Sequence, residues 1–351
     1  MRIFAVLGTG RNGSTLLTRL LDGIPGCYHH PIDTNFLQAF NDLASRGRVR
    51  ERVHNNTLIH PLTGLSKDVS SKKLIRYYGS QIAQIERTIL SNIEPPLKVG
   101  GDIRASFLGQ ETFSANEFLR FFMRSLSEWI DPGVPPEYAM FKTFETSYID
   151  QYEAFFPEMS FVHIFRDPVQ TWASFKRTLM IRDRRPASYL GQDILISFLE
   201  FRLLPHLAAI QRRQDSKRHV LVRYEDLVRH PDREILRICS QLGCPPPRNI
   251  SEQTILGGRQ FKKIPVNSSQ SGVQTPKSAV MKMSEKFNYD EVVTERERDL
   301  ILSQTWNLMG PLGYFKSEQK PSNKDLFHAW KAIDKWDTVN YPNTFGSFSM
   351  L

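Results

Sequence analysis

Cysteine is scarce in this sequence: the chain has 351 residues and three cysteines, Cys27, Cys239 and Cys244. Their odd number and unpaired spacing indicate neither a disulfide framework nor a structural zinc site, so we expect a reducing compartment. The sequence also lacks an uninterrupted apolar stretch near the roughly 18 residues that a membrane-spanning helix needs. It begins without the basic, apolar and small-residue progression of a secretory signal. We therefore expect a cytoplasmic protein without a transmembrane segment.

The composition indicates a folded protein with an anionic partner. Apolar residues make up 40% of the chain and aromatic residues 11%, which suits a packed core and excludes a chain that is disordered throughout. The 46 Lys and Arg residues outnumber the 37 Asp and Glu residues, giving a formal net charge of +9. Such a balance suits nucleic acid, a membrane surface or a phosphorylated small molecule, and composition does not choose among the three.

Short apolar runs that alternate with helical patterns predict an α/β fold. The first run, over residues 3–7, leads into a glycine-rich turn and then into leucines at helical spacing. Similar runs lie at 138–142, 161–165 and 219–223. This alternation predicts a central parallel sheet flanked by helices on both faces. After Gly23 the prolines favour a loop over another strand.

The globular part is expected to end near residue 315. A capping box at Thr294 and Glu297 opens the last clear helix, which a glycine-containing turn at 310–313 closes. We therefore predict one domain over 1–315 and a separate segment over 316–351. That tail contains a polar linker and an aromatic, amphipathic stripe. We expect it to dock on its own domain, while docking on a second subunit or on a membrane surface stays open, as does the oligomeric state.

A glycine loop at residues 8–15, Gly-Thr-Gly-Arg-Asn-Gly-Ser-Thr, lies between the first predicted strand and helix. Backbone N–H groups and the helix dipole make this position an anion site. The loop matches a dinucleotide fingerprint, but no second strand ending in an acidic residue follows. It also matches the phosphate loop of nucleotide hydrolases, except that Ser14 stands where the phosphate-binding lysine belongs. A second site has to identify the ligand.

That second site is predicted where the run 161–165 ends. Arg166 follows the strand and Ser174 lies eight residues later on the next helix, so a guanidinium and a hydroxyl can converge on an anion. Here the sequence resembles the sulfotransferases that use 3′-phosphoadenosine 5′-phosphosulfate (PAPS). Their first motif resembles Arg-Asn-Gly-Ser-Thr-Leu-Leu at 11–17, and their second resembles Arg166-Asp-Pro with Ser174.

A third signature, Tyr224-Glu-Asp-Leu followed by a proline-started helix that ends in Leu-Gly, completes the resemblance. The motifs follow in order within residues 2–314, and they imply a P-loop-type, three-layer fold of the sulfotransferase kind. In this family the glycine loop holds the 5′-phosphosulfate, the second motif the 3′-phosphate, and the tyrosine lies by the adenine. A late basic loop, here Arg259, Lys262 and Lys263, commonly completes the 3′-phosphate site. The implied donor-binding residues are Arg11, Asn12, Gly13, Ser14, Thr15, Arg166, Ser174, Tyr224 and Lys263.

The resemblance also implies a metal-free, in-line transfer of a sulfuryl group to a hydroxyl. Arg11 is placed to stabilise charge on the bridging oxygen, and Lys142 matches the family's strand-end lysine. The acceptor hydroxyl needs a base, and the family's Glu-Pro pair is replaced here by His30-Pro31. We therefore predict His30 as the base, with Asp33, Asp102 and Glu145 as the alternatives.

The acceptor is the least specified part of the predicted function. We expect a hydroxyl on a carbohydrate, a glycolipid or a small molecule, and we expect no nucleic acid, because no basic stripe with interleaved stacking aromatics is present. Two other functions stay open from the residues alone. One is a phosphotransferase of the P-loop kinase type, against which Ser14 counts, and the other is a nucleotide-binding protein without catalysis.

Overall fold

A computed structural model describes residues 1–44, 52–53, 56–57, 68–85, 93–94, 111–131, 133–183, 192–250, 253–256, 258–261 and 292–315. The strands are β1 Arg2–Leu7, β2 Cys27–Asp33, β3 Arg52–Val53, β4 Asn56–Thr57, β5 Val69–Ser70, β6 Ile93–Glu94, β7 Thr112–Phe113, β8 Tyr138–Thr143, β9 Ser160–Phe165, β10 His219–Arg223 and β11 Gln260–Phe261. The α-helices are α1 Ser14–Leu21, α2 Phe36–Ala44, α3 Ser71–Gln84, α4 Ala115–Ile130, α5 Ile149–Phe155, α6 Pro168–Asp183, α7 Gln192–Phe198, α8 Leu204–Arg213, α9 Tyr224–Arg229, α10 Pro231–Leu242 and α11 Glu295–Met309. A 3-10 turn covers Thr146–Tyr148 and a π-helix covers Leu199–Leu203.

The chain divides into two compact units. The first is formed by Met1–Arg166 and Ala209–Phe287, and the second by Asp167–Ala208 and Asn288–Leu351. The predicted boundary between a domain over 1–315 and a tail over 316–351 stays a prediction, because the tail lies outside the described residues.

The first unit is built on a five-stranded sheet in the order β10-β9-β1-β8-β2. Every neighbouring pair of strands in it is parallel. On β1, Phe4 and Val6 face one side, where they join buried leucines of α1 and isoleucines of α10. Ile3, Ala5 and Leu7 face the other side and pack with aromatic residues of α2 and α4. The predicted α/β fold, a parallel sheet flanked by helices, is confirmed.

The edge strand β2 lies where the sequence predicts a loop, and that prediction is wrong. β2 pairs with β8 from Cys27 to His29 and again at Asp33, with a shift of register between these two contacts. Pro31 lies within the shift. Because proline has no backbone N–H to donate, a sheet accepts it at an edge strand or a bulge, and β2 provides both.

The second unit contains a buried ion pair between α6 and α11. Lys176 Nζ lies 2.9 Å from both carboxylate oxygens of Glu297, which also accepts a hydrogen bond from Trp172 Nε1 at 3.2 Å. Glu297 forms the predicted capping box with Thr294 at the start of α11. One carboxylate therefore caps one helix and neutralises a cation of the other, so its burial is compensated.

The consecutive helical turns from Ile194 to Arg213 form one stretch long and apolar enough to cross a membrane by the measure of length and composition. Half of its most apolar window is buried inside the protein, as in a core helix, and it is the one such stretch among the described residues.

Glu145, just after β8, fixes the start of α2. Its carboxylate is buried and accepts hydrogen bonds from the backbone N–H groups of Leu37 at 3.1 Å and Gln38 at 2.7 Å. The Tyr152 hydroxyl donates to the same group. A carboxylate at a helix N-terminus compensates the positive end of the helix dipole. Burial nevertheless dominates, and it raises the pKa of Glu145 from 4.5 to about 7.

Replacing Glu145 with Gln should reduce the pH dependence of stability. Because the folded-state pKa of Glu145 is raised, the folded chain binds the proton more tightly than the unfolded chain does. The stabilising contribution of the protonated group is therefore largest below about pH 4.5 and is lost as the pH rises to 7. This loss in the free energy of unfolding is roughly 3 kcal/mol. Urea denaturation at about pH 5 and about pH 8 measures the free energy of unfolding.

The difference between the two pH values should shrink in Glu145→Gln by on the order of 2–3 kcal/mol. Glu158→Gln is the matched control, because the Glu158 side chain is 75% exposed. An identical pH dependence in wild type and Glu145→Gln would contradict the raised pKa.

Candidate functional site

The glycine loop follows β1 and leads into α1 at the carboxyl edge of the sheet. Its backbone turns through left-handed conformations at Gly10, Arg11 and Gly13, with φ values of 82°, 62° and 94°. The buried Asn12 side chain donates from Nδ2 to the carbonyl of Ile164 on β9 at 2.6 Å. Asn12 therefore anchors the loop to the sheet through its side chain.

Gly13 allows the loop to lie directly against an aromatic ring. A Cβ atom added at Gly13 would come within 2.6 Å of Cε2 of Tyr224, the first residue of α9. The Arg166 guanidinium lies over the same ring, with Cζ 4.4 Å from the ring centroid. Tyr224 thus joins the loop to Arg166, and three residues predicted from separate motifs lie together.

Two arginines approach each other near this ring. Burial and the like charge of Arg166 lower the pKa of Arg11, while Tyr224 has a smaller opposite effect. Because like charges at close range repel, the arrangement favours the binding of an anion between or beside them.

A third cation, Lys142, contacts the last residue of the loop. Its Nζ donates to Thr15 Oγ1 at 2.6 Å and lies 2.6 Å from Oδ1 of Asp33. Lys142 is only 8% exposed, and this burial lowers its pKa, although the negative charge of Asp33 opposes the shift. The parallel pairing of β1, β8 and β2 places these groups at one edge of the sheet.

His30, the predicted base, lies inside the core. It is fully buried on β2, its Nδ1 is 3.3 Å from the Tyr28 hydroxyl, and its ring meets the edge of Phe122 at 5.7 Å. Burial, helped by the neighbouring His29, lowers its pKa from 6.5 to about 3. Nε2 of His30 has no hydrogen-bond partner among the described residues.

The alternatives to His30 differ in position. Asp33 pairs in register with Lys142 and its side chain is 45% exposed. Glu145 is engaged at the start of α2, and Asp102 lies outside the described residues. The structure therefore brings Asp33, and not Glu145, to the predicted catalytic lysine.

The remaining predicted residues lie on other elements or outside the described residues. Ser14 is buried at the start of α1, and Ser174 lies on α6 in the second unit. Arg259 donates to the carbonyl of Leu256 within its own loop. Lys262 and Lys263 lie outside the described residues.

Two buried charged residues beside the loop belong to none of the sequence motifs. Arg19, on α1, and Asp22, the C-cap residue of α1, are 4% and 2% exposed. Their spacing from Thr15, four and seven residues, was the available signal for a shared helix face. Within the described part of the chain, no group of three or more His, Cys, Asp or Glu side chains is arranged to hold a metal ion.

Comparison with known families decides the relationship. Residues 3–248 match the model of a sulfotransferase family. The chain belongs to the sulfotransferase family. No curated protein sequence matches it significantly. The predicted family membership is confirmed.

The chain is similar to solved structures of sulfotransferases. The sulfotransferase domain of the olefin synthase from Synechococcus PCC 7002 is 15% identical, with a TM-score of 0.51, covering 90% of this chain and 96% of that one. The sulfotransferase domain from the curacin biosynthetic pathway is 16% identical, with a TM-score of 0.47, covering 90% and 98%. Sulfotransferase STF9 from Mycobacterium avium is 14% identical, with a TM-score of 0.40, covering 92% and 78%. At this identity the first likeness shows the fold alone.

Replacing Gly13 with Ala should distort the loop. The new Cβ would overlap the Tyr224 ring at a residue with φ 94°, so we expect a loss of about 2 kcal/mol in the free energy of unfolding. Gly79→Ala is the matched control: it lies within α3, and an added Cβ there meets no atom within 4 Å.

The control should be neutral or stabilising by about 0.5–1 kcal/mol, because alanine favours a helix over glycine. Urea denaturation of both variants gives the comparison. Equal stability of Gly13→Ala and wild type would show that the loop does not need the contact with Tyr224.

Proposed function

We propose that this sulfotransferase moves a sulfuryl group from PAPS to a hydroxyl of a carbohydrate, a glycolipid or a small molecule. One observation carries the proposal: a glycine loop with Ser14 in place of the hydrolase lysine contains Arg11 and is contacted at Thr15 by Lys142, and Arg166 stacks on the Tyr224 ring that packs against Gly13. A donor with a 5′-phosphosulfate and a separate 3′-phosphate carries negative charge at two places, and this group of cations suits such a donor.

In the proposed donor complex, the loop from Asn12 to Thr15 binds the 5′-phosphosulfate through backbone N–H groups at the start of α1. Arg166 binds the 3′-phosphate, supported by its stacking on Tyr224. In the same complex the adenine contacts the Tyr224 ring, because nucleobases stack well on aromatic side chains. The assignments of Ser174 and Lys263 to the 3′-phosphate stay predictions.

Lys142 and Arg11 provide the proposed charge stabilisation during transfer. In an in-line displacement, negative charge grows on the bridging oxygen and on the sulfuryl oxygens, and fixed cations lower the energy of that state. Lys142 already donates to Thr15 Oγ1 in the loop, which supports a role at the sulfuryl group. Because these cations belong to the chain, the proposed transfer uses no metal ion.

Asp33 is the proposed base for the acceptor hydroxyl. Its carboxylate lies 2.6 Å from the Lys142 ammonium and is 45% exposed, so an acceptor can reach it beside the sulfuryl site. His30 is fully buried with its ring against Phe122, so an acceptor hydroxyl has no access to it. The geometry therefore supports the carboxylate over the histidine.

The cytoplasmic location and a membrane contact through residues 316–351 stay predictions. The kinase alternative requires a nucleoside triphosphate and Mg²⁺, and magnesium-dependent ATP turnover would revive it.

Donor binding should follow the 3′-phosphate. Adenosine 3′,5′-bisphosphate should raise the melting temperature of the wild type by several degrees, while ADP and AMP should raise it little, because Arg166 pairs with the 3′-phosphate. The shift should vanish in Arg166→Ala and persist in Arg212→Ala, a control whose side chain is 64% exposed. Equal shifts with all three nucleotides would overturn the proposed donor.

Two near-isosteric variants separate the candidate bases. Asp33→Asn should keep bisphosphate binding and lower turnover by about a hundredfold, because the amide cannot accept the hydroxyl proton. His30→Asn retains a polar partner for Tyr28 and should keep turnover near that of the wild type. Release of the bisphosphate from PAPS, with a monosaccharide, a glycolipid and a simple alcohol as acceptors, measures both. The reverse ranking would assign the base to His30.

A further inference from the structure

Three polar residues follow one side of α1 to its C-terminus. Thr15 and Arg19 lie in α1, Asp22 is its C-cap residue, and their spacings of four and three place them along one side of the helix. The first of them contacts Lys142 on β8, and the last lies at the helix C-terminus with Oδ1 3.4 Å from Nδ1 of His29 on β2. Arg19 is therefore held between these two contacts, facing β8 and β2.

Arg19 is a buried cation whose charge two carboxylates favour. Only 4% of the residue is exposed, and Asp22 and Asp33 are the carboxylates whose charges favour its protonated form. Burial opposes them and lowers the pKa of Arg19 to about 10, so it remains charged at neutral pH. Its charge also acts on Lys142, which places Arg19 within electrostatic range of the Lys142–Asp33 pair.

Asp22 is a fixed counter-charge for Arg19. Its buried carboxylate accepts from the Thr254 hydroxyl at 2.7 Å and from the backbone N–H of Gly258 at 2.8 Å. The backbone N–H of Thr254 in turn donates to the carbonyl of Arg19 at 3.2 Å. Held by these contacts, the Asp22 carboxylate is a fixed negative charge three residues from Arg19.

The charge balance changes when a donor binds. With the loop as it stands, Lys142 neutralises Asp33 directly. Under the proposed function, Lys142 directs its ammonium to sulfuryl oxygens, and the donor adds negative charge that repels the Asp33 carboxylate. Asp33 then needs another cation to stay beside the acceptor.

We propose that Arg19 is a positioning residue that holds the Asp33 carboxylate at the acceptor side while Lys142 engages the donor. This inference rests on the proposed function and adds to it a residue outside the motifs of the glycine loop. Arg19 touches neither the donor nor the acceptor in this proposal, and it acts through Asp33.

The test is a double-mutant cycle between Arg19 and Asp33. Arg19→Met removes the charge and keeps much of the length, and we expect kcat for bisphosphate release from PAPS to fall about tenfold to a hundredfold. The Kd for adenosine 3′,5′-bisphosphate should stay unchanged. In the Asp33→Asn background, Arg19→Met should cause no further loss, because the group that it positions is already absent.

Two further variants separate positioning from folding. Arg19→Met leaves the Asp22 carboxylate buried without its cation, so Arg19→Met/Asp22→Asn removes both charges and should fold with the same fall in kcat. Arg19→Lys keeps the charge and should restore most of the turnover. Recovery with lysine, together with the coupling to Asp33, would not follow from a merely structural role.

The outcomes are distinguishable. Wild-type protein that neither binds the bisphosphate nor turns over PAPS would overturn the proposed function, and this inference with it. Normal wild-type binding and turnover, with losses at Arg19 and Asp33 that multiply independently, would overturn the role of Arg19 alone. An unchanged kcat in the folded Arg19→Met/Asp22→Asn variant would do the same.

Discussion

The ammonium of Lys142 joins the three elements on which the site depends. It contacts Thr15 at the start of α1 and Asp33 at the end of β2, and it projects from β8 between them. Burial disfavours its charge, so the hydroxyl and the carboxylate are required to compensate it. The loop, β8 and the edge strand β2 are thereby held in one arrangement. Parallel pairing makes this possible, because it brings the carboxyl ends of all three strands to one edge of the sheet.

Positive charge is concentrated around the glycine loop. Arg11 and Arg166 act on each other as like charges, and Tyr224 stacks on Arg166 while it closes against Gly13. Such a cluster is less stable empty than filled by an anion, since the anion replaces repulsion with attraction. Part of the formal net charge of +9 therefore belongs to this cluster, and its proposed role is to bind an anionic donor for sulfuryl transfer.

The sequence predicted the sheet, the glycine loop and a donor site that includes Arg166 and Tyr224, but the prediction of a loop at β2 was wrong. The prolines near that segment favour a loop when only the local sequence is considered. The sheet accommodates Pro31 because β2 is an edge strand with a register shift. The same shift separates the two candidate bases. Asp33 pairs with Lys142 and His30 packs against Phe122, although both residues belong to the seven-residue strand β2.

Apolar periodicity and the order of three short motifs determined the fold class and the family, because these depend on local spacing along the chain; the donor-side residues are proposed from the same motifs. Tertiary structure decided which charged groups face each other. Arg19 and Asp22 gain their surroundings from the packing of α1 on β8 and β2 and from the loop that carries Thr254. No local pattern contains that information, since burial of a charge is acceptable only where distant segments supply its partners.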